Sequence, residues 1–532
     1  MSQTPKDYSS QGRVALVALV VVLILVSFIP AQTVCGVKLR RANILSDLIT
    51  FEEPHTEVAE QVEPELFDEE EFEIDMTDVS EQIQAIDSTP KNIQTTYTWL
   101  LDHEREIQRQ VTPAEHDVDY ELTPIEDFSE DHRMEAFYDT LLHAQRPVRI
   151  AFMGDSFVEG DILTGDLREQ FQVNYGGGGA GFAPIASPLT AFRRTIRTQS
   201  KGWQSYNIMQ YKRAPESLRD NFYISGWACA PTQGASTRWE ATDNRRKLED
   251  CTTARVLFKS PSTSHVEVIL NDSLHQAYTI EGSPTVRQIV VSADQIANLT
   301  FKVKDGTQGF VGYGAIFEEE GVVVDNYSIR SNNGQAMFRT NPTVNAQIND
   351  LVHYDLVILQ YGLNIMQQGI YGYRNYATQI EKMIDYVREC FPTAAVLVMG
   401  VSDRSVRTDH GFEPMDAIPH MTKYQREAAR TAGASFWATS TAMEAMGGMK
   451  EFVANGWAGK DYTHINFLGG RRIAHALFAA FNQGVKSRYE QQQIIERQKQ
   501  MRQAVIDSLQ ATKIDQRLII GHGSDTLNRP AL

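Results

Sequence analysis

At 532 residues the chain has room for two or three domains, and an apolar fraction of 42% suffices for a substantial core. The formal charge of -18 is concentrated: Phe51 to Glu81 holds 14 acidic residues and no lysine or arginine. No basic patch stands out, so electrostatics exclude nucleic acid as a partner class.

In chain order, residues 1–13 form a short N-terminal tail. Arg13 and Lys38 then bracket 24 uncharged residues with a dense apolar centre from Val14 to Ile29. At about 1.5 Å per residue this stretch can cross a hydrocarbon core of about 30 Å, so 14–37 is predicted to be an uncleaved transmembrane helix and the membrane a partner. Lys6 and Arg13 precede it while Lys38, Arg40 and Arg41 follow, so flanking charge does not orient it. Residues 38–128 are read as an acidic tether, too poor in apolar residues to offset ordering entropy, followed by a polar spacer helix from Ile93 to Gln110.

From residue 129 the texture changes. Met134, Phe137, Tyr138, Leu141 and Leu142 recur at helical spacing, and Val148 to Phe152 forms a strand-like run. An α/β unit opens here, over 129–191. Residues 192–330 carry short β-type runs separated by Gly, Pro, Asn, Asp and Ser without intervening helices, the pattern of an inserted β-sandwich of jelly-roll type. The α/β alternation resumes over 331–484, and 485–532 reads as an exposed polar helix suited to docking or self-association. Of four cysteines, Cys229 and Cys251 fall inside the β-rich insert, where a disulfide and two buried free thiols are both compatible with the sequence. No Cys/His cluster has zinc spacing, and neither a metal nor a cofactor is expected.

Three short motifs carry chemistry. Gly154-Asp155-Ser156 ends the Val148 strand and delivers a serine onto a tight turn. A serine hydroxyl needs a base within hydrogen-bond reach, and His464, in Asp461-Tyr462-Thr463-His464, is the best-placed histidine. The spacing lets Asp461 fix the imidazole tautomer and leave the other nitrogen for Ser156. Gly362-Leu363-Asn364 follows the strand-like Leu356 to Leu359 and offers an uncharged amide donor for a tetrahedral oxyanion, alongside the Ser156 N–H. Asp155 reads as structural. Asp403 and Arg404, after another strand on the ligand edge of the sheet, could shape the substrate site as readily as form an ordinary salt-bridged loop.

These motifs, in this order, resemble three of the four sequence blocks of the SGNH (GDSL-type) hydrolase superfamily. The resemblance implies a flavodoxin-like α/β/α fold with parallel strands, with Ser156 as nucleophile, His464 as base and Asp461 as its orienting carboxylate. It also implies an oxyanion hole from the Ser156 N–H, Asn364 and a further glycine. Gly334, after the β-rich insert, is chosen for that glycine over the run Gly176 to Gly179. Members that act on bacterial cell-wall polysaccharide carry a carbohydrate-binding-like β-domain at a similar place. The implied activity is therefore a serine esterase removing O-acetyl groups from an envelope glycan such as peptidoglycan, outside the cytoplasm. An O-acetyltransferase fed by an integral-membrane acyl-transfer partner, and a non-catalytic glycan-binding scaffold, are the alternatives.

Overall fold

The computed structural model describes residues 122–524 except 144–145, 188–192, 243 and 245–249, together with two short strands, Gln32–Val34 and Val37–Leu39. Those two pair antiparallel, so the end of the segment expected to span a membrane is extended rather than helical. The rest of that expected span, most of the acidic tether, the spacer helix and Cys35 lie outside the described residues. Among the described residues no helix is long and apolar enough to cross a membrane.

The first helix, α1 (Arg133–His143), buries Met134, Phe137, Tyr138, Leu141 and Leu142, the periodic residues of its sequence. Strand β1 (Val148–Gly154) follows and is buried at all seven positions. Neighbouring strand residues point to opposite faces, so burial throughout requires cover on both. After the helix α2 (Thr164–Tyr175) and the insert come β2 (Val322–Ser328), α3 (Pro342–Val352) and β3 (Leu356–Gln360). The unit closes with α4 (Arg374–Cys390), β4 (Ala395–Met399), α5 (Ile418–Thr431), β5 (Ser435–Trp437) and α6 (Phe467–Ser524). The strands lie in the order β2-β1-β3-β4-β5, all parallel, with Glu126–Asp127 added antiparallel at the β5 edge. That order is the flavodoxin-type doubly wound arrangement. Its switch point lies between β1 and β3, and in folds of this order ligands bind beyond the carboxyl ends of the strands there. Helix α6 packs on α1 and α2, while α4 packs on α3 and α5.

Two boundaries differ from the sequence reading. Val322–Ser328, grouped there with the insert, pairs in parallel with β1 and belongs to the α/β sheet. Conversely, Gly181–Pro184 pairs with Val311–Glu318 and already belongs to the insert. The expected sandwich is one hydrogen-bonded sheet of nine antiparallel strands. Its long strand Trp227–Ala241 pairs along one edge with Ile196–Asn207; on the other it meets Asn298–Asp305 and, through the single pair Gly312 and Cys229, the strand Val311–Glu318. Trp239, Val256, Phe258, Val268, Phe301 and Phe317, from several of its strands, fill a separate core. Cys229 and Cys251 are buried free thiols in it.

The insert is locked to the α/β sheet by buried charge. Arg149 of β1 pairs with Glu318 of the insert and, at 3.3 Å, with Asp325 of β2, all three shielded from solvent. Burial alone would lower the Arg149 pKa, but the two carboxylates raise it instead. The glycine run 176–179, the alternative source of an oxyanion donor, lies at this junction: a Cβ on Gly179 would run into the Phe317 carbonyl and Cys251.

Candidate active site

Ser156 follows β1, Asn332 and Gly334 follow β2, Asn364 follows β3, and Asp403 and Arg404 follow β4. Neighbouring parallel strands therefore deliver all of these residues to one edge of the sheet. Ser156 begins a short 3-10 turn (Ser156–Asp161) whose preceding residue, Asp155, accepts a hydrogen bond from the Phe157 N–H at 2.9 Å. That cap turns the chain sharply and leaves Ser156 partly exposed between buried neighbours. The far end of the turn is fixed by Asp161, which is paired with Arg168 at 3.0 Å and Arg193 at 2.7 Å. Burial works against the Asp161 carboxylate, yet the two guanidiniums hold it well below the usual range.

His464 stands just before α6, whose first turn is capped by Asn466 Oδ1 accepting from the N–H groups of Leu468 and Gly469. Its loop is closed by a bridge between Ala458 and Ile465 and by Gly459 N–H donating to the His464 carbonyl at 2.7 Å. Within the loop, Asp461 Oδ1 accepts from the N–H groups of Thr463 and His464, each at 3.1 Å. Asp461 Oδ2 lies 2.6 Å from His464 Nδ1. Partial burial pushes the Asp461 carboxyl up, but the bonds from His464 and Thr463 outweigh it and hold the group below its ordinary value. His464 Nε2 in turn lies 3.4 Å from Ser156 Oγ, across 308 residues of sequence. The imidazole and Asp461 are about half exposed, so water reaches the dyad.

The side-chain amide of Asn364 donates to Asp155 Oδ2 at 3.2 Å and to the Asn332 carbonyl at 3.0 Å. Asp155 thus joins the Ser156 turn to the Asn364 loop, a connection that its reading as merely structural did not foresee. Its own carboxyl is fully enclosed; burial raises its pKa to about 7, against the lowering effect of the Phe157 N–H. Gly334 lies on the loop next to Asn364, with φ at 97° and no space for a Cβ beside Met383 and Tyr361. Its N–H donates to Asn332 Oδ1 at 2.9 Å, so in this structure that donor serves its own loop.

Asp403 and Arg404 separate. The Asp403 carboxylate is buried and accepts from the Met449 N–H at 2.6 Å, holding the start of the short helix Gly448–Ala454. Arg404 is half-buried, donates to the Leu363 carbonyl at 3.4 Å and lies in the field of Asp461. Burial lowers its pKa, and Asp461 works against that shift. Of the two, Arg404 links the Asn364 loop to the dyad loop. Among the described residues no group of three or more His, Cys, Asp or Glu could hold a metal ion.

No protein-family model matches the sequence, and no curated protein matches it. Solved structures do. One of a peptidoglycan O-acetylesterase is similar over 68% of this chain and 99% of its own, with a TM-score of 0.55 at 20% identity. A family two carbohydrate esterase from Cellvibrio japonicus is similar over 55% of this chain and 98% of its own, at 8% identity and a TM-score of 0.23. An acetyl xylan esterase is similar over 30% of this chain and 81% of its own, at 17% identity and a TM-score of 0.23. The first of these likenesses establishes a shared fold.

Proposed function

We propose that the chain is an SGNH-type serine esterase that removes O-acetyl groups from a cell-envelope polysaccharide, peptidoglycan foremost, through an acyl-serine intermediate. One observation carries the reading: a serine hydroxyl, an imidazole and a carboxylate in line, at 3.4 and 2.6 Å. In the first step Ser156 Oγ attacks the ester carbonyl while His464 Nε2 takes its proton and Asp461 stabilises the imidazolium. The carbonyl oxygen becomes an oxyanion, for which the Ser156 N–H is a donor; the Asn364 amide, whose two N–H groups are held by Asp155 and the Asn332 carbonyl, becomes the second donor by giving up one of those bonds. Gly334 N–H joins them only if it releases Asn332 Oδ1. Collapse expels the sugar oxygen, which leaves with the proton from His464. Water, deprotonated by the same imidazole, then attacks the acetyl-serine and frees acetate and Ser156.

A half-exposed dyad favours water over a sugar hydroxyl as acceptor, because transfer to a second sugar requires water to be excluded. Arg404 faces the glycan in this scheme, the insert lies beside the catalytic sheet as an accessory glycan-binding domain, and the apolar stretch Val14 to Ile29 holds the body at a membrane outside the cytoplasm.

Acetate release from O-acetylated peptidoglycan tests the proposal. Wild-type protein should release acetate, Ser156→Ala with native circular dichroism should not, and recovered sugars should carry no new acetyl group. Equal release by both proteins would refute the serine mechanism; sugars that gain acetyl would turn the reading to transfer.

A further inference from the structure

Tyr462 lies inside the Asp461 to His464 loop with φ at 55°. A bulky side chain adopts this left-handed conformation only where its surroundings over-determine it. Here the backbone on both sides of Tyr462 is tied: its N–H donates to the Gly459 carbonyl at 3.0 Å, and its carbonyl accepts from the Ser405 N–H at 2.9 Å. The ring is held as well, stacked on Phe412 with centroids 3.8 Å apart and planes 8° from parallel. Ser405 and Phe412 belong to one small hairpin, Ser405–Thr408 paired antiparallel with Gly411–Pro414. That hairpin is rooted where Met415 N–H donates to the Arg404 carbonyl at 3.0 Å, and Arg404 also reaches the Leu363 carbonyl beside Asn364. A single structure thus touches the loops on both sides of Ser156, while its own residues make no hydrogen bond to Ser156 or His464.

We infer that the hairpin 405–414 is a brace that sets the position of the Asp461–His464 pair, with the Phe412 ring on Tyr462 as its positioning contact. The inference rests on Ser156, His464 and Asp461 being the catalytic groups. Tyr462 sits between the carboxylate and the imidazole, so any change in its backbone rotation moves both relative to Ser156. The Ser156 to His464 separation, already at the long end of a hydrogen bond, has little room for further displacement. Phe412 makes no ring contact with His464 and its ring stacks on Tyr462, so it acts through Tyr462.

The test uses the full chain and a short acyl-ester reporter, with Phe412→Ala, Phe412→Leu and Phe412→Tyr. Loss of the ring should lower kcat by about tenfold or more, because displacements near 1 Å are enough for such losses. KM should stay within about twofold, since no substrate contact is removed. Phe412→Leu keeps apolar volume without a flat face and should fold and share the kcat defect, while Phe412→Tyr restores the stack and should restore kcat. Wild-type kcat in both Phe412→Ala and Phe412→Leu, an equal loss in Phe412→Tyr, or a change confined to KM would each overturn the brace. Ser156→Ala measured alongside separates the two questions. Turnover surviving there refutes the serine reading itself, whereas turnover lost there and retained in both Phe412→Ala and Phe412→Leu overturns only the role of Phe412.

Discussion

The substitution Asp461→Asn tests the dyad at the atom that orients it. The oxygen of the new side-chain amide would still accept from the N–H groups of Thr463 and His464, which now bond Asp461 Oδ1 at 3.1 Å, so the loop should keep its shape. The other terminal atom changes from an acceptor to a donor, 2.6 Å from His464 Nδ1. Two donors cannot face one another, so the imidazole proton moves to Nε2, where it blocks acceptance from Ser156. The imidazolium formed during attack also loses its counter-charge. At about 4 Å that attraction is worth about 1 kcal/mol in bulk water and about 4 kcal/mol near a protein surface. A half-exposed pair lies toward the middle of this range, so about 2–3 kcal/mol of transition-state stabilisation should vanish. In steady-state kinetics with an ester reporter, kcat should fall about 30- to 150-fold with little change in KM. A loss below about threefold in a folded variant would mean that Asp461 does not set the tautomer of the base.

Three further outcomes follow from the surrounding structure. Arg149→Met should lower stability to urea by about 3–5 kcal/mol, because Glu318 and Asp325 stay buried without the cation between them; a loss under about 1 kcal/mol would contradict the lock. Asp155 keeps its proton to about pH 7 in the folded chain but to about pH 4 when unfolded, so the folded state binds more protons over that window and stability falls as pH rises through it. The fall should approach about 4 kcal/mol, and Asp155→Asn, which has no proton to lose, should flatten it; an unchanged slope in urea titrations at several pH values would exclude Asp155 as its source. Asp403→Ala should lower stability by about 1–3 kcal/mol by orphaning the Met449 N–H, with KM within about twofold of wild type; a tenfold rise in KM would show the carboxylate meeting substrate.

What could be read in the residues, and what could not, divides along physical lines. Strands buried on both faces, such as Val148–Gly154 and Leu356–Gln360, advertise themselves as mostly apolar runs, broken only by Arg149 and Gln360. Val322–Ser328 opens with three valines but carries Asp325, Asn326 and Ser328, and which sheet it joins depends on pairing with β1 across more than 150 residues, which no local pattern specifies. The break placed after Gly484 fell where a glycine usually ends a helix. In the fold α6 runs straight through it, and Gly484 is small because the Tyr138 ring packs where a Cβ would be. In the site, Ser156, Asp461 and His464, which the fold brings within 3.4 and 2.6 Å of one another, stand in motifs whose side-chain types and spacing are distinctive enough to read from the sequence. The Asp155–Asn364–Asn332 chain and the Phe412–Tyr462 stack were not, since each depends on residues brought together only by the tertiary fold.

A fluorophosphonate probe, which reacts with a serine hydroxyl only when a base has activated it, meets the central claim most directly. Peptide mapping by mass spectrometry should find one adduct on Ser156 in the wild-type chain and none in Ser156→Ala or His464→Ala. An inert wild-type protein, or equal labelling after Ser156 is removed, would contradict the account.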